Sequence, residues 1–305
     1  MSGMSNLRAG TLYAVAAYLI WGLFPVYWKQ LDSIPALQLI GHRIAWSFVL
    51  LAALVLARGQ TRGFLAALDR HTLSTYVLAA LLIGVNWYAY VWAVTHGLIV
   101  EASLGYYINP LFSVLLGVVL FRERLRPFQW VPIAVAAAGV VYLTITLRSF
   151  PWLAVLLAVT FGLYGAVKKR APLGSLFGLT AETAVLFAPA VTYLLLAEAQ
   201  GTGAFLHGTT KENLMMAGGG LVTAVPLLFF AAAASRVPLT TIGILQYMTP
   251  TMQFLIGLGI YHESFPAGRL IGFGLVWIAL GLFWVEGIVD RRTGRSTRLP
   301  QQSQG

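Results

Sequence analysis

Residues 101–123 read EASLGYYINPLFSVLLGVVLFRE, and residues 241–263 read TIGILQYMTPTMQFLIGLGIYHE. Set one above the other, 140 positions apart and without a gap, they pair Tyr107 with Tyr247, Pro110 with Pro250, Leu115 with Leu255, Gly117 with Gly257 and Glu123 with Glu263. The same displacement relates Ala14, Val15, Gly22, Leu23 and Lys29 to Ala154, Val155, Gly162, Leu163 and Lys169. Small apolar residues coincide by composition in any two hydrophobic segments, and the second set of matches is open to that reading. A common Tyr, Pro, Gly and Glu frame at fixed spacing is not, and it points to an internal duplication.

Outward from those segments the chain is strongly apolar. Of its 305 residues 58% are hydrophobic and 10% charged, a balance that suits a bilayer rather than water. Apolar runs fall at about 10–29, 35–57, 73–95, 101–121, 129–147, 151–168, 176–197, 214–235, 240–261 and 267–287, each near the roughly 20 residues that a crossing needs. Pro35, Pro127, Pro151, Pro172, Pro238 and Pro266 stand near helix starts or in links, where a missing N–H costs least. The expected fold is an all-α membrane protein of ten transmembrane helices. Residues 1–147 form a first five-helix repeat, 148–289 a second, and 290–305 a basic polar tail. Because each unit has an odd number of spans, the second enters from the opposite face and the repeats are inverted.

The charge pattern sets a direction. The formal net charge is +10, which in a soluble chain would raise the question of nucleic acid. With the N-terminus inside, however, 15 of the 20 Lys and Arg fall in inner segments: Arg8, Arg58, Arg62, Arg70, Arg122, Arg124, Arg126, Lys168, Lys169, Arg170, Arg236, Arg291, Arg292, Arg295 and Arg298. Lys29, Arg148, Lys211 and Arg269 fall outside, and Arg43 within a span. The positive-inside rule therefore expects both termini in the cytoplasm, with the basic excess meeting anionic membrane lipid rather than nucleic acid. No cysteine is present, the five histidines are widely spaced, and no Walker-type phosphate loop occurs, so the reading calls for no metal, cofactor or ATP hydrolysis. The apolar stretch after Arg8 is longer than a signal-peptide core and reads as a retained first helix.

Helix four carries Ala102, Gly105, Tyr106, Asn109, Ser113 and Gly117 on one stripe, and helix nine aligns Gln246, Thr249, Gln253 and Gly257. Pro110 and Pro250 are the expected helix bends, each removing a hydrogen bond to the carbonyl four residues earlier and freeing an acceptor beside a polar side chain. Such stripes either pack two helices together or line a cavity. The duplication favours the cavity for Tyr106, Asn109 and Gln246. Helix three adds Asn86 and Tyr90, with Trp87 between them, and helix one adds Tyr18 and Trp21, aromatic walls suited to an amphipathic small molecule or to core packing. His42, Arg43 and Glu182 are ionisable groups deep in spans, where a charge needs a partner or water. His42 and Glu182 correspond through the repeat, and either could exchange a proton with transport, with Arg43 orienting an anionic group or holding helix two. The alternative is internal capping and helix-to-helix hydrogen bonding. Glu123 and Glu263 either tether the next helix, lock a gate, or stand as solvated loop carboxylates.

These strings resemble the drug/metabolite transporter superfamily, its EamA-type members in particular. Ala17-Tyr18-Leu19-Ile20-Trp21-Gly22, His42-Arg43-Ile44-Ala45-Trp46-Ser47, Glu101 through Leu111, and Gln246-Tyr247-Met248-Thr249-Pro250-Thr251 are similar to the RarD group, whose members are described as chloramphenicol-sensitive proteins or permeases. The resemblance implies a bacterial inner-membrane exporter of a small organic metabolite or drug, with a central cavity lined chiefly by helices one, three, four, six, eight and nine and with helices two and seven peripheral. Two other functions compete with a secondary transporter. One is an intramembrane lipid-modifying enzyme using His42 and Glu182, which the predicted depths of those residues oppose, and the other is a channel.

Overall fold

The computed structural model of the chain describes residues 2–95, 99–147 and 152–261, together with 271, 274, 275, 277–279, 281, 282 and 285. Every regular element among them is helical. Helix α1 (Ser2–Gly22) turns at Leu23 into the short α2 (Phe24–Trp28), and α3 (Ala36–Ala57), α4 (Thr61–Ala66), α5 (Arg70–Thr95) and α6 (Ile99–Phe121) follow. Then come α7 (Trp130–Leu147), α8 (Trp152–Arg170), α9 (Ser175–Ala199), α10 (Thr210–Ala234), α11 (Leu239–Gln246) and α12 (Met248–Gly259).

Among the described residues, six stretches are long and apolar enough to cross a membrane: Asn6–Leu31, Ala36–Ala57, Arg70–Ala93, Trp152–Arg170, Ser175–Ala199 and Thr210–Ala234. The protein is thus an all-helical, multi-pass membrane protein. Leucines such as Leu12, Leu56, Leu195 and Leu221 lie exposed on the helix surfaces, as residues that meet lipid rather than water do. The expected tenth span at 267–287 lies largely outside the described residues, as do Glu263 and the tail at 290–305.

Local chemistry explains where the helices start. Asp69 caps α5, its Oδ1 accepting from Thr72 N–H at 2.7 Å, and this bond holds the exposed carboxyl below the usual carboxylate range. A capping box opens α10: Glu212 N–H donates to Thr209 Oγ1 at 3.2 Å, and Thr209 N–H donates to Glu212 Oε2 at 2.7 Å. Pro35 and Pro238 precede α3 and α11 in extended conformation (ψ 129° and 143°). Pro238 offers no side-chain oxygen as a cap. Glu123 supplies one from the end of α6, its two carboxylate oxygens accepting from Leu239 N–H at 2.8 Å and Thr240 N–H at 2.9 Å. Arg122 reaches the left-handed region (φ 52°) to turn that carboxylate back, and Glu123 N–H donates to the Gly117 carbonyl at 3.0 Å. Lys169 completes the clasp, 3.4 Å from Glu123 Oε1 and donating to the Val237 carbonyl at 2.8 Å. Glu123 is thus a tether, but it holds helix nine rather than the next helix in sequence.

The chain folds into two compact units. One comprises Met1–Glu123 and Phe150–Ser264; the other comprises Arg124–Ser149 and Phe265–Gly305. In the larger unit α6 packs on α8 and α11, α5 on α8, α3 on α9 and α10, and α1 on α10 and α12. Its core joins Ala14, Ala17 and Tyr18 of α1 to Tyr164, Phe230, Ala233 and Leu239. In the smaller unit a 3-10 turn at Pro127–Gln129 leads into α7, and Arg126 N–H is capped by Gln129 Oε1 at 2.9 Å.

Candidate functional site

The larger unit encloses a cavity of about 400 Å³. Two helix interruptions shape it. At Leu23 the chain turns from α1 into α2, so that Tyr18 and Trp21 lie on one side of the turn and Phe24, Pro25 and Trp28 on the other, all on the cavity wall. At Tyr247 helix nine breaks into α11 and α12, leaving Gln246 before the break and Thr249, Pro250 and Gln253 after it. Pro250 sits in the first turn of α12, where the missing N–H has no intrahelical partner to lose. Helix α6, by contrast, runs on through Pro110.

All eight residues expected at a substrate cavity line this one: Tyr18, Trp21, Asn86, Tyr90, Tyr106, Asn109, Gln246 and Thr249. Some are tied up in the scaffold. Asn86 Nδ2 donates to the Leu157 carbonyl and to Thr160 Oγ1, both at 2.9 Å, and fastens α5 to α8. Thr249 Oγ1 donates to the Tyr18 carbonyl at 3.0 Å and Gln253 Nε2 to the Trp21 carbonyl at 3.2 Å, fastening α12 to α1. Tyr90 and Tyr106 meet edge to face at 5.9 Å. Three polar atoms are unspent. Tyr18 Oη, Asn109 Oδ1 and Gln246 Oε1 are buried without a hydrogen-bond partner, in residues 0%, 4% and 6% exposed. An orphaned polar atom in an apolar interior costs about 1–3 kcal/mol, so three around one cavity mark a space that water or a ligand fills.

The three intramembrane ionisable groups part company. Arg43 lines the cavity; His42 and Glu182 do not. His42 is buried with its ring 5.0 Å from that of Phe205. Glu182 pairs with Lys168 at 2.5 Å and accepts from Tyr164 Oη at 3.0 Å, with Lys168 also 5.4 Å from the centre of the Tyr76 ring. Arg43 donates from Nε to Thr223 Oγ1 at 2.9 Å and lies 4.8, 4.9 and 5.7 Å from the ring centres of Trp28, Trp87 and Phe24. Helix two therefore contributes to the wall through Ala36, Leu39, Ile40 and Arg43, although the resemblance implied a peripheral place for it.

Sequence reasoning missed Lys168, counted there among the inner basic residues. It is 4% exposed and paired with a carboxylate inside the bundle. Thr223 was also missed, because a threonine in the apolar run of α10 carries no pattern of its own.

A transmembrane helical bundle enclosing a polar-spotted cavity is the architecture of a membrane transporter, and the comparisons agree. Residues 8–145 match the model of the EamA-like transporter family. The chain is 44% identical over 297 residues to "Uncharacterized transporter YojE" of Bacillus subtilis (strain 168), covering 96% of this chain and 99% of that protein. It is 42% identical over 300 residues to "Protein RarD" of Streptomyces exfoliatus, covering 98% and 94%. A solved structure at 19% identity superposes with a TM-score of 0.70 over 91% of this chain and 98% of that one, a likeness of fold. The chain belongs to the EamA-like transporter family, alongside the RarD proteins.

Proposed function

We propose that the protein is a secondary transporter of the bacterial inner membrane that exports a small amphipathic organic molecule by alternating access. The cavity carries this reading, since its wall is mostly aromatic and aliphatic, with a few unspent polar groups. In this reading the halves 1–147 and 148–289 are inverted repeats and the tail at 290–305 is cytoplasmic. Two observations support the repeat. A Cβ at Gly22 would collide with Met252, and one at the repeat-related Gly162 would collide with the repeat-related Phe112. The packing of α1 on α10 likewise corresponds to that of α8 on α5. Both termini are inside in the proposed orientation. The cavity then lies toward the outer end of the unit, where α1 turns into α2 and α3 begins, and the clasp of Glu123, Lys169 and α11 closes the inner end.

Proteoliposomes test the reading. A carrier gives saturable counterflow of a radiolabelled substrate found by panel screening. Chemical turnover of lipid without counterflow would indicate an enzyme, and substrate-independent ion current would indicate a channel. Proton coupling through His42 or Glu182 predicts that Gln at that position flattens the pH dependence of flux, and an unchanged profile eliminates the residue from coupling.

A further inference from the structure

Among the described residues that line the cavity, Arg43 is the one that carries a formal charge. Its described contacts neutralise none of it. Nε is spent on the hydroxyl of Thr223, and the faces of Trp28, Trp87 and Phe24 attract a cation through their quadrupoles without supplying negative charge. Among the described residues no carboxylate pairs with it, although Glu182, also within the bundle, pairs with Lys168. Both Nη groups donate to no described protein group. They form the side of the guanidinium fork that grips a carboxylate through two parallel hydrogen bonds.

Occupancy of the cavity decides what such a group selects. A ligand that enters displaces water from Arg43. A neutral molecule leaves the guanidinium desolvated and unpaired, a cation adds repulsion, and a monoanion replaces the lost hydration with an ion pair. Aromatic side chains sit directly around the charge, so the acidic group must be borne on a compact apolar body. The amide oxygens of Asn109 and Gln246, without a protein partner, remain for hydrogen-bond donors elsewhere on the ligand.

We infer that the cargo is a small organic monoanion, whose acidic group docks on Arg43 and whose apolar body lies against the aromatic wall. This rests on the transport reading of the cavity and narrows it to one class of substrate.

A matched pair of probes tests it: 4-phenylbutyrate and its neutral amide, titrated against the purified chain in phosphatidylcholine nanodiscs. Binding is read from tryptophan fluorescence, because Trp21, Trp28 and Trp87 line the cavity. The acid should bind at least about tenfold more tightly than the amide, Arg43→Gln should remove that preference, and Arg43→Lys should keep a weakened one. Equal affinities, binding of neither probe, or a preference that survives Arg43→Gln would overturn the inference. The wild-type comparison of acid with amide stands even where a variant fails to fold. Counterflow of both probes separates this inference from the transport reading. Selective binding of the acid without flux supports the anion site and removes the carrier, whereas flux of both probes at equal efficiency keeps the carrier and removes the anion site.

Discussion

Asn86 and Asn109 both face the cavity but serve different ends. Asn86 spends its amide on two groups of α8, while the Asn109 oxygen has no partner. Leucine at the two positions should separate structure from recognition. Asn86→Leu should lower unfolding stability by about 1–2 kcal/mol, the net value of the lost hydrogen bonds. Asn109→Leu and Gln246→Leu should leave the thermal midpoint unchanged or raised and should weaken half-saturation of counterflow about tenfold. A midpoint that falls in Asn109→Leu as far as in Asn86→Leu would count against an unspent amide. Eight residues of the wall were legible in the sequence because polar and aromatic groups on apolar helices recur at helical spacing. Their division into scaffold and free groups was not, because it depends on which carbonyl of another helix lies opposite. Lys168 was illegible for the same reason: beside Lys169 and Arg170 it reads as the end of a helix, and only the carboxylate of α9 shows that it points inward.

Between elements, the crossing of α3 and α10 is what seats Arg43. Gly220 has no Cβ, and one placed there would lie 2.5 Å from the Trp46 carbonyl carbon and 2.7 Å from Ser47 N, so backbone meets backbone. Ser47 Oγ donates to the Gly220 carbonyl at 3.0 Å, and one turn further along α10 Thr223 receives the Arg43 Nε. Gly220→Ala should therefore cost about 1–3 kcal/mol through overpacking and should also weaken binding of an acidic probe, since α10 must withdraw Thr223 to accommodate the methyl. Denaturation and fluorescence titration of one sample check both, and loss of stability with unaltered binding would uncouple the crossing from the site. Most helix bounds followed from hydropathy to within a few residues, as in 35–57 against Ala36–Ala57. The start of α10 did not. The expected run began at 214, whereas the Thr209 to Glu212 capping box starts the helix at Thr210, in polar sequence that a search for apolar runs passes over. Of the two expected bends, the break at Tyr247 falls three residues before Pro250 while α6 runs on through Pro110, and the turn at Leu23 was not expected.

At the scale of the molecule, the sequence announced a membrane bundle through composition and apolar runs alone. It did not disclose how the helices partition. The larger unit draws on both halves of the chain and leaves Arg124–Ser149 and Phe265–Gly305 to the smaller one, because packing follows spatial neighbours rather than order along the chain. One feature of the larger unit bears on rate. Glu123 gathers two amide N–H donors and the ammonium of Lys169 onto a single carboxylate. Lys169 stands on α8, so parting α6 from α11 breaks the two N–H attachments, and it breaks them together because both end on one carboxylate. If that parting limits turnover, the transport cycle carries a high activation enthalpy lodged in one side chain, and the protein slows steeply in the cold. Glu123→Gln, which keeps one acceptor and loses the charge, should flatten the slope of an Arrhenius plot of counterflow. An unchanged slope would place the slow step elsewhere in the cycle.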